Sequence, residues 1–240
     1  MPMVRLGRLA QFLTASLLPP DVVTVSRLYA VLAPVHDLLA QRVAVRARRL
    51  ALAWLSVRDG ERVVELAPGT GLAFVRLVQA NPSGHTLGID RAPAMLRRAR
   101  RRLRGVPLVW TLRVGDARQV SAPAGSVDAL YAGYLLDQFA RDDRRRILME
   151  IRRLLRPGGR LVLQHMTRPQ SAAARTWGAL AHRVPWLLGR SQPLCVRPDL
   201  HACGFTGLRR TYVEEAGFPS EVVYAERTYS SPSHARPIRP

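Results

Sequence analysis

Three carboxylates stand at the ends of three short apolar runs, and their setting suits a ligand that carries both a cation and a nucleoside. Glu65 closes a β-branched run that leads into the turn Ala67-Pro68-Gly69-Thr70-Gly71, and a helix-like stretch, 72–80, opens directly after it. A strand, a glycine turn and a helix start together present backbone N–H groups and let a ligand approach the main chain. Glu65 thereby stands at a strand's carboxyl end, where open α/β sheets bind ligands. Asp90 ends the second run, 85–89, and a carboxylate there can accept from both hydroxyls of a ribose. The third run, 108–114, ends in Gly115-Asp116-Ala117. Asp116 can accept from an exocyclic adenine amine while the Ala117 N–H meets a ring nitrogen.

Gly69 and Gly71 begin a G-x-G-x-x-G pattern, but its third position is Phe74. A dinucleotide fold needs glycine there so that helix and strand close up beside the pyrophosphate. Phe74, and an acid ahead of the glycines, argue against NAD. S-adenosylmethionine has no phosphate, and its sulfonium and α-amino group suit a neighbouring carboxylate. Ala67, Thr70, Arg91 and Met95 flank these acids and glycines and complete the expected cofactor set. Methyl transfer is a displacement at carbon, so the protein's main task is to hold donor and acceptor in line. A base enters where the acceptor must lose a proton. Candidates stand at the ends of the fourth and fifth strand-like runs: Tyr131, Tyr134, Asp137 and His165. His165 is the expected base because imidazole titrates near working pH. Gly133 and Tyr134 are expected to line the methyl and acceptor region, with Tyr131 and Gly133 touching the cofactor.

The elements that must position these residues follow from period and punctuation. Runs at 126–131, after Ala124-Gly125, and at 160–165, after Arg156-Pro157-Gly158-Gly159, read as the fourth and fifth strands. Between them 142–156 reads as a helix, with Ile147, Leu148, Ile151, Leu154 and Leu155 on one face; Met95, Leu96, Ala99 and Leu103 form the same stripe earlier. Two alternating runs, 208–213 and 221–228, flank Gly217-Phe218-Pro219 and read as a closing antiparallel hairpin. Residues 1–57 are expected as a helical cap and 58–229 as the cofactor domain. Residues 167–194, with Trp177, Trp186, Leu187 and Leu188 among Arg175, His182, Arg183 and Arg190, are expected to cover the acceptor. The tail 230–240, rich in proline and serine, reads as disordered. The modest apolar run 9–18 behind Arg5 and Arg8 is too short to span a bilayer and reads as an amphipathic helix, packed on the domain or lying on a membrane.

In this order the motifs resemble a class I S-adenosylmethionine-dependent methyltransferase, and within that class the ubiquinone/menaquinone-biosynthesis and phospholipid N-methyltransferase group. The likeness runs from about residue 28 to 227. It implies an α/β, Rossmann-like fold: a mostly parallel seven-stranded sheet with an antiparallel C-terminal hairpin and helices on both faces. It implies that the glycine loop with Glu65, Gly69 and Gly71 holds the methionine part of the cofactor, Asp90 the ribose and Asp116 the adenine. Leu-Leu-Arg-Pro-Gly-Gly-Arg-Leu-Val-Leu, 154–163, resembles the family's approach to its fifth strand. Pro68 stands where many members carry glycine, and His36, in Ala33-Pro34-Val35-His36-Asp37, stands where they carry tyrosine. In the family this segment caps the cofactor, which makes Tyr29, His36 and Asp37 near-site candidates.

The 240 residues suffice for one α/β domain, and 48% hydrophobic content excludes general disorder. Two cysteines, Cys195 and Cys203, have neither zinc-site spacing nor the number for a disulfide framework, which points to a cytoplasmic protein. A formal charge of +20 invites nucleic-acid or membrane readings. All 37 basic residues are arginine, however, which reads as coding bias, and the runs 97–104 and 144–146 fall on outward helix faces. Nucleic acid is therefore not the expected partner, while attraction to anionic lipid headgroups still follows from the charge. No Asn/Asp-Pro-Pro-Tyr follows the fourth strand and no metal-ligand cluster is spaced for a divalent ion. The expected acceptor is a small molecule or lipid: a quinone precursor, an amine headgroup or a hydrophobic secondary metabolite. The alternatives are a non-catalytic cofactor-binding protein of the same fold and an RNA methyltransferase recruited by the arginine surface.

Overall fold

The computed structural model describes residues 44–181 and 193–229, with 177–181 by backbone alone. Tyr29, His36 and Asp37, the N-terminal amphipathic helix, most of the 167–194 insertion's aromatic and basic side chains, and the 230–240 tail lie outside the described residues.

Seven strands form one sheet: β1 (Arg62–Leu66), β2 (His85–Asp90), β3 (Trp110–Val114), β4 (Val127–Gly133), β5 (Leu155–Met166), β6 (Phe205–Glu215) and β7 (Phe218–Arg227). Their order is β3-β2-β1-β4-β5-β7-β6. β1 to β5 are parallel, and β7 runs antiparallel to β5 and β6. This is the expected α/β architecture. The chain moves outward from β1 through β2 to β3, then returns to place β4 on the other side of β1. That reversal leaves a crevice at the carboxyl ends of β1 and β4, the place where open sheets bind ligands.

Helices α1 (Val45–Leu55), α2 (Phe74–Gln79), α3 (Pro93–Arg102), α4 (Arg141–Leu154), α5 (Ala172–Ala181) and α6 (Arg197–Ala202) complete the described elements. Strand alternation sorts the core into two layers. Leu130, Leu161, Leu163 and Val223 face α4 and α6, against Ile147, Leu148, Ile151, Leu154 and Leu200. Val63, Ala129, Tyr131, Val162 and Val222 face the opposite way, against Ala47, Ala51 and Leu55 of α1. Both apolar stripes expected from the sequence are buried, Met95, Leu96, Ala99 and Leu103 in and beside α3 and Ile147 to Leu155 in and after α4. Each such large side chain contributes about 1.5–3 kcal/mol relative to exposure. Among the described residues no helix is long and apolar enough to cross a membrane.

Three boundaries differ from expectation. β3 starts at Trp110, because β2 pairs with it only from Thr86↔Trp110 onward and Val109 stays 60% exposed. α4 stops at Leu154, since Pro157 keeps the residues before it out of the helical region and Leu155 is already extended. The 156–159 turn becomes a bulge inside β5, between the pairs Val127↔Leu155 and Ala129↔Arg160. The C-terminal hairpin is longer than its alternation suggested: Phe218 and Pro219 pair with Glu215 and Glu214. Only Ala216 and Gly217 turn the chain, both at positive φ as a two-residue hairpin loop requires.

α1 is fastened at both ends by other elements. Glu215 Oε2 at the end of β6 accepts from the N–H groups of Arg46 (2.7 Å) and Ala47 (3.3 Å), supplying a cap that α1's own sequence lacks. At the other end Arg160 Nε donates to Leu55 O at 2.9 Å. Arg160 resumes the pairing of β5 after its bulge and Glu215 ends β6, so the first turn of α1 stands at the carboxyl edge of the sheet.

Candidate active site

The glycine turn is shaped by its backbone. Ala67 N–H donates to Ile89 O at 2.7 Å, and Gly71 N–H donates to Pro68 O at 2.8 Å. Gly71 has φ +84°, and a side chain there would meet Ala99 Cβ of α3 at 3.0 Å. The residue that strains this turn is Ala67, which adopts φ +55°. Phe74 opens α2 fully buried, against Gly88 of β2.

Asp90 is tied into this turn. Its Oδ2 accepts from Gly69 N–H at 2.9 Å and its Oδ1 from Ala92 N–H at 2.8 Å. Burial raises its pKa above the ordinary carboxylate value, against the pull of those N–H groups and of Arg91. A carboxylate offers about four acceptor positions, so two remain for ribose hydroxyls.

Glu65 lies deeper, 3% exposed, and its Oε2 has no hydrogen-bond partner among the described residues. Burial pushes its pKa well up, Asp90 adds to the rise, and the Arg48 guanidinium of α1 opposes it. Across the crevice Glu65 is the register partner of Tyr131 on β4, so the two side chains leave the same face. Tyr131 is buried too, its pKa raised by burial and by Glu65 and lowered by Arg48. A buried carboxylate with an unused oxygen, a cation from α1 and a neighbouring phenol form a pocket for a group bearing a positive charge.

The adenine candidates lie at the end of β3. Ala117 is buried. Asp116 is not a free acceptor: Arg118 binds it through NH2 at 2.7 Å and Nε at 3.1 Å, which holds its pKa below the ordinary value. Arg118 also reaches Asp143 at 3.1 Å. Arg91 and Arg118 each place a guanidinium carbon 6.0 Å from the ring centre of Phe139. Arg91 is exposed, and Met95 is buried in the core-facing stripe of α3.

The expected catalytic trio is divided by the sheet. Tyr134, at φ +51°, bonds Ser220 Oγ at 2.7 Å and accepts from Gln164 Nε2 at 2.8 Å. Its hydroxyl is held protonated by burial. His165 follows the alternation of Leu161 and Leu163 and so faces the α4 side, away from Glu65 and Tyr131. It is 1% exposed, its Nδ1 3.0 Å from Met166 O and its Nε2 3.3 Å from Glu221 Oε2. Burial depresses its pKa, but Glu221 and Asp137 outweigh that and lift it above the ordinary imidazole value. Asp137 accepts from Met166 N–H at 2.8 Å and, fully buried, has its pKa raised to about 7. Glu221 pairs in turn with Arg210 at 2.7 Å. The structure thus places His165, the expected base, enclosed beside Glu221 and on the face opposite Glu65 and Tyr131.

Residues 63–159 match the family model described as a methyltransferase domain. The 2-phytyl-1,4-naphtoquinone methyltransferase of Synechococcus elongatus is 33% identical over 167 residues, 67% of this chain and 70% of that protein. The chain belongs to the class I S-adenosylmethionine-dependent methyltransferases. Two solved structures share the fold of this methyltransferase. The [4+2]-cyclase SpnF superposes with a TM-score of 0.69 at 16% identity, over 88% of this chain and 97% of its own. Phosphoethanolamine N-methyltransferase 2 of Haemonchus contortus, in complex with S-adenosyl-L-methionine, gives 0.61 at 13% identity, over 75% and 53%. A cyclase among them makes plain that the fold alone does not decide the reaction.

S-adenosyl-L-methionine is the methyltransferase's cofactor, and the Glu65 Oε2 left without a partner among the described residues and the open space beside Gly69, where a side chain would meet nothing within 4 Å, fit such a cationic nucleoside. Sequence reasoning missed Arg48, Arg118, Gln164 and Glu221. Gln164 alone left a trace, as an amide following the apolar run Leu161-Val162-Leu163.

Proposed function

We propose that this methyltransferase methylates a small hydrophobic acceptor of the quinone-precursor type. The relative named for a phytyl naphthoquinone supports that class, and Tyr134, partly buried just past the carboxyl end of β4, suits a flat apolar acceptor body. Several of the arginines that suggested nucleic acid are engaged internally, in pairs with Asp116, Asp128, Glu150 and Glu61.

The observation that carries the reading is Glu65, a buried carboxylate with an unused oxygen beside Arg48. In this reading Glu65 holds the cofactor's α-ammonium and Arg48 its carboxylate, while Ala67, Gly69, Thr70 and Gly71 frame the methionine part. Asp90 accepts from the ribose, and Asp116, Ala117, Arg91 and Met95 border the adenine. When bound, S-adenosylmethionine supplies a methyl group activated by its sulfonium. Gly133 and Tyr134 hold the acceptor against that side, with Tyr131 on the cofactor, and such positioning can remove up to about 7–11 kcal/mol of barrier. His165 and Asp137 fix the end of β5 from behind.

Calorimetric titration with S-adenosylhomocysteine, with NAD as control, tests the cofactor half. Transfer of labelled methyl from S-adenosylmethionine to 2-alkyl-1,4-naphthoquinols tests the acceptor half. Methylation of RNA, with naphthoquinols untouched, would overturn the acceptor assignment.

A further inference from the structure

A chain of buried side chains crosses three strands beside Glu65. Tyr131 OH donates to Gln164 Oε1 at 2.6 Å, Gln164 Nε2 donates to Tyr134 OH at 2.8 Å, and Tyr134 OH meets Ser220 Oγ at 2.7 Å. Gln164 is 2% exposed and Ser220 1%. Tyr131 leans along β4 toward the carboxyl edge, since a side chain on Gly133 would stand 2.6 Å from its hydroxyl oxygen.

A phenol has one proton to donate and lone pairs to accept with. Tyr131 spends its proton on Gln164. It therefore cannot give that proton to Glu65, its register partner, whose Oε2 has no donor among the described residues. We infer that Gln164 is a positioning residue that captures the Tyr131 proton and so presents both the Tyr131 oxygen and Glu65 as acceptors toward a cationic ligand. This rests on the cofactor reading above and deepens it. The pocket then discriminates by charge, preferring a nucleoside that carries the α-ammonium to one that lacks it.

The test compares binding of S-adenosylhomocysteine, which carries the α-ammonium, and 5′-methylthioadenosine, which lacks it, by calorimetry, with no acceptor and no turnover. Gln164→Leu should weaken S-adenosylhomocysteine about tenfold while changing methylthioadenosine by no more than about twofold, the worth of one charge-assisted hydrogen bond. Gln164→Glu, whose carboxylate still accepts the Tyr131 proton, should keep the wild-type preference. Tyr131→Phe removes the oxygen but keeps the ring, and should show the same selective loss even if Gln164→Leu does not fold. Parallel changes in both affinities, or an unchanged ratio in the folded variants, would make Gln164 a packing residue and overturn the inference alone. Wild-type protein that binds neither compound would instead remove the cofactor reading on which it rests.

Discussion

The N–H of Gly69 donates to Asp90 Oδ2 at 2.9 Å, so the turn after β1 is tied to the end of β2. One carboxylate therefore shapes the loop and, in the proposed function, holds the ribose. Asp90→Ala is expected to lower stability by about 1–3 kcal/mol, by leaving two N–H groups without an acceptor. It should also weaken S-adenosylhomocysteine binding more than tenfold, measured calorimetrically at a temperature where the variant is folded. Unchanged affinity in that folded variant would refute the ribose placement.

Ala67 sits at φ +55°, which costs an L-residue about 1–2 kcal/mol. Ala67→Gly relieves this, offset in part by about 0.4–1 kcal/mol of added freedom in the unfolded chain. The expected outcome is a gain of up to about 1 kcal/mol, or roughly 2–4 °C in melting temperature. A lower melting temperature would mean that the methyl group of Ala67 packs better than its backbone suffers.

Asp137 and His165 give stability a pH dependence of known sign. The folded pKa of Asp137 is about 7, above the ordinary carboxylate value, so the folded state binds more protons than the unfolded one from about pH 4 to 7. Its contribution is present at low pH and is lost as pH rises through 7. His165 is also raised, so its contribution is full below the unfolded imidazole value and is lost as pH rises through the folded one. Both act in the same direction. Melting temperature should fall between pH 6 and 8, by more than about 1 kcal/mol in stability, and Asp137→Asn should flatten the slope. An equal slope in that variant would place the titration elsewhere.

His165→Gln separates support from catalysis. It removes the cation between the buried Glu221 and Asp137, and should cost about 2–4 kcal/mol in denaturant unfolding. Turnover per folded molecule should stay within about threefold, since general-base catalysis contributes about 100-fold or more when it is lost. A hundredfold fall in kcat with normal stability would restore His165 as the base.

Much of this was legible in the sequence because it is local. The stripes of α3 and α4, Glu65, Asp90 and the two glycines follow from period, punctuation and short motifs, and the mostly parallel sheet from the resemblance that those motifs carry. What escaped depends on register between distant strands. Gln164 meets Tyr131 only because β4 and β5 pair Tyr131 with Val162 and Ala132 with Leu163, and Ser220 arrives on an antiparallel strand. The face of His165 was hidden for the same reason: a shift of one residue along a strand changes the face, and nothing local fixes it. The strain at Ala67 left no sign in the sequence, because the identity of a turn residue does not reveal which position carries positive φ.

The cap on α1 also has a consequence in time. Glu215 lies 169 residues after the Arg46 N–H that it accepts from. Ribosomes add about 5–20 residues per second, so roughly ten to thirty seconds separate the emergence of the two partners. An eleven-residue helix is marginal by itself in water. The first described helix is thus among the last parts of the molecule to be completed, and a chain stopped before residue 215 leaves it unfinished.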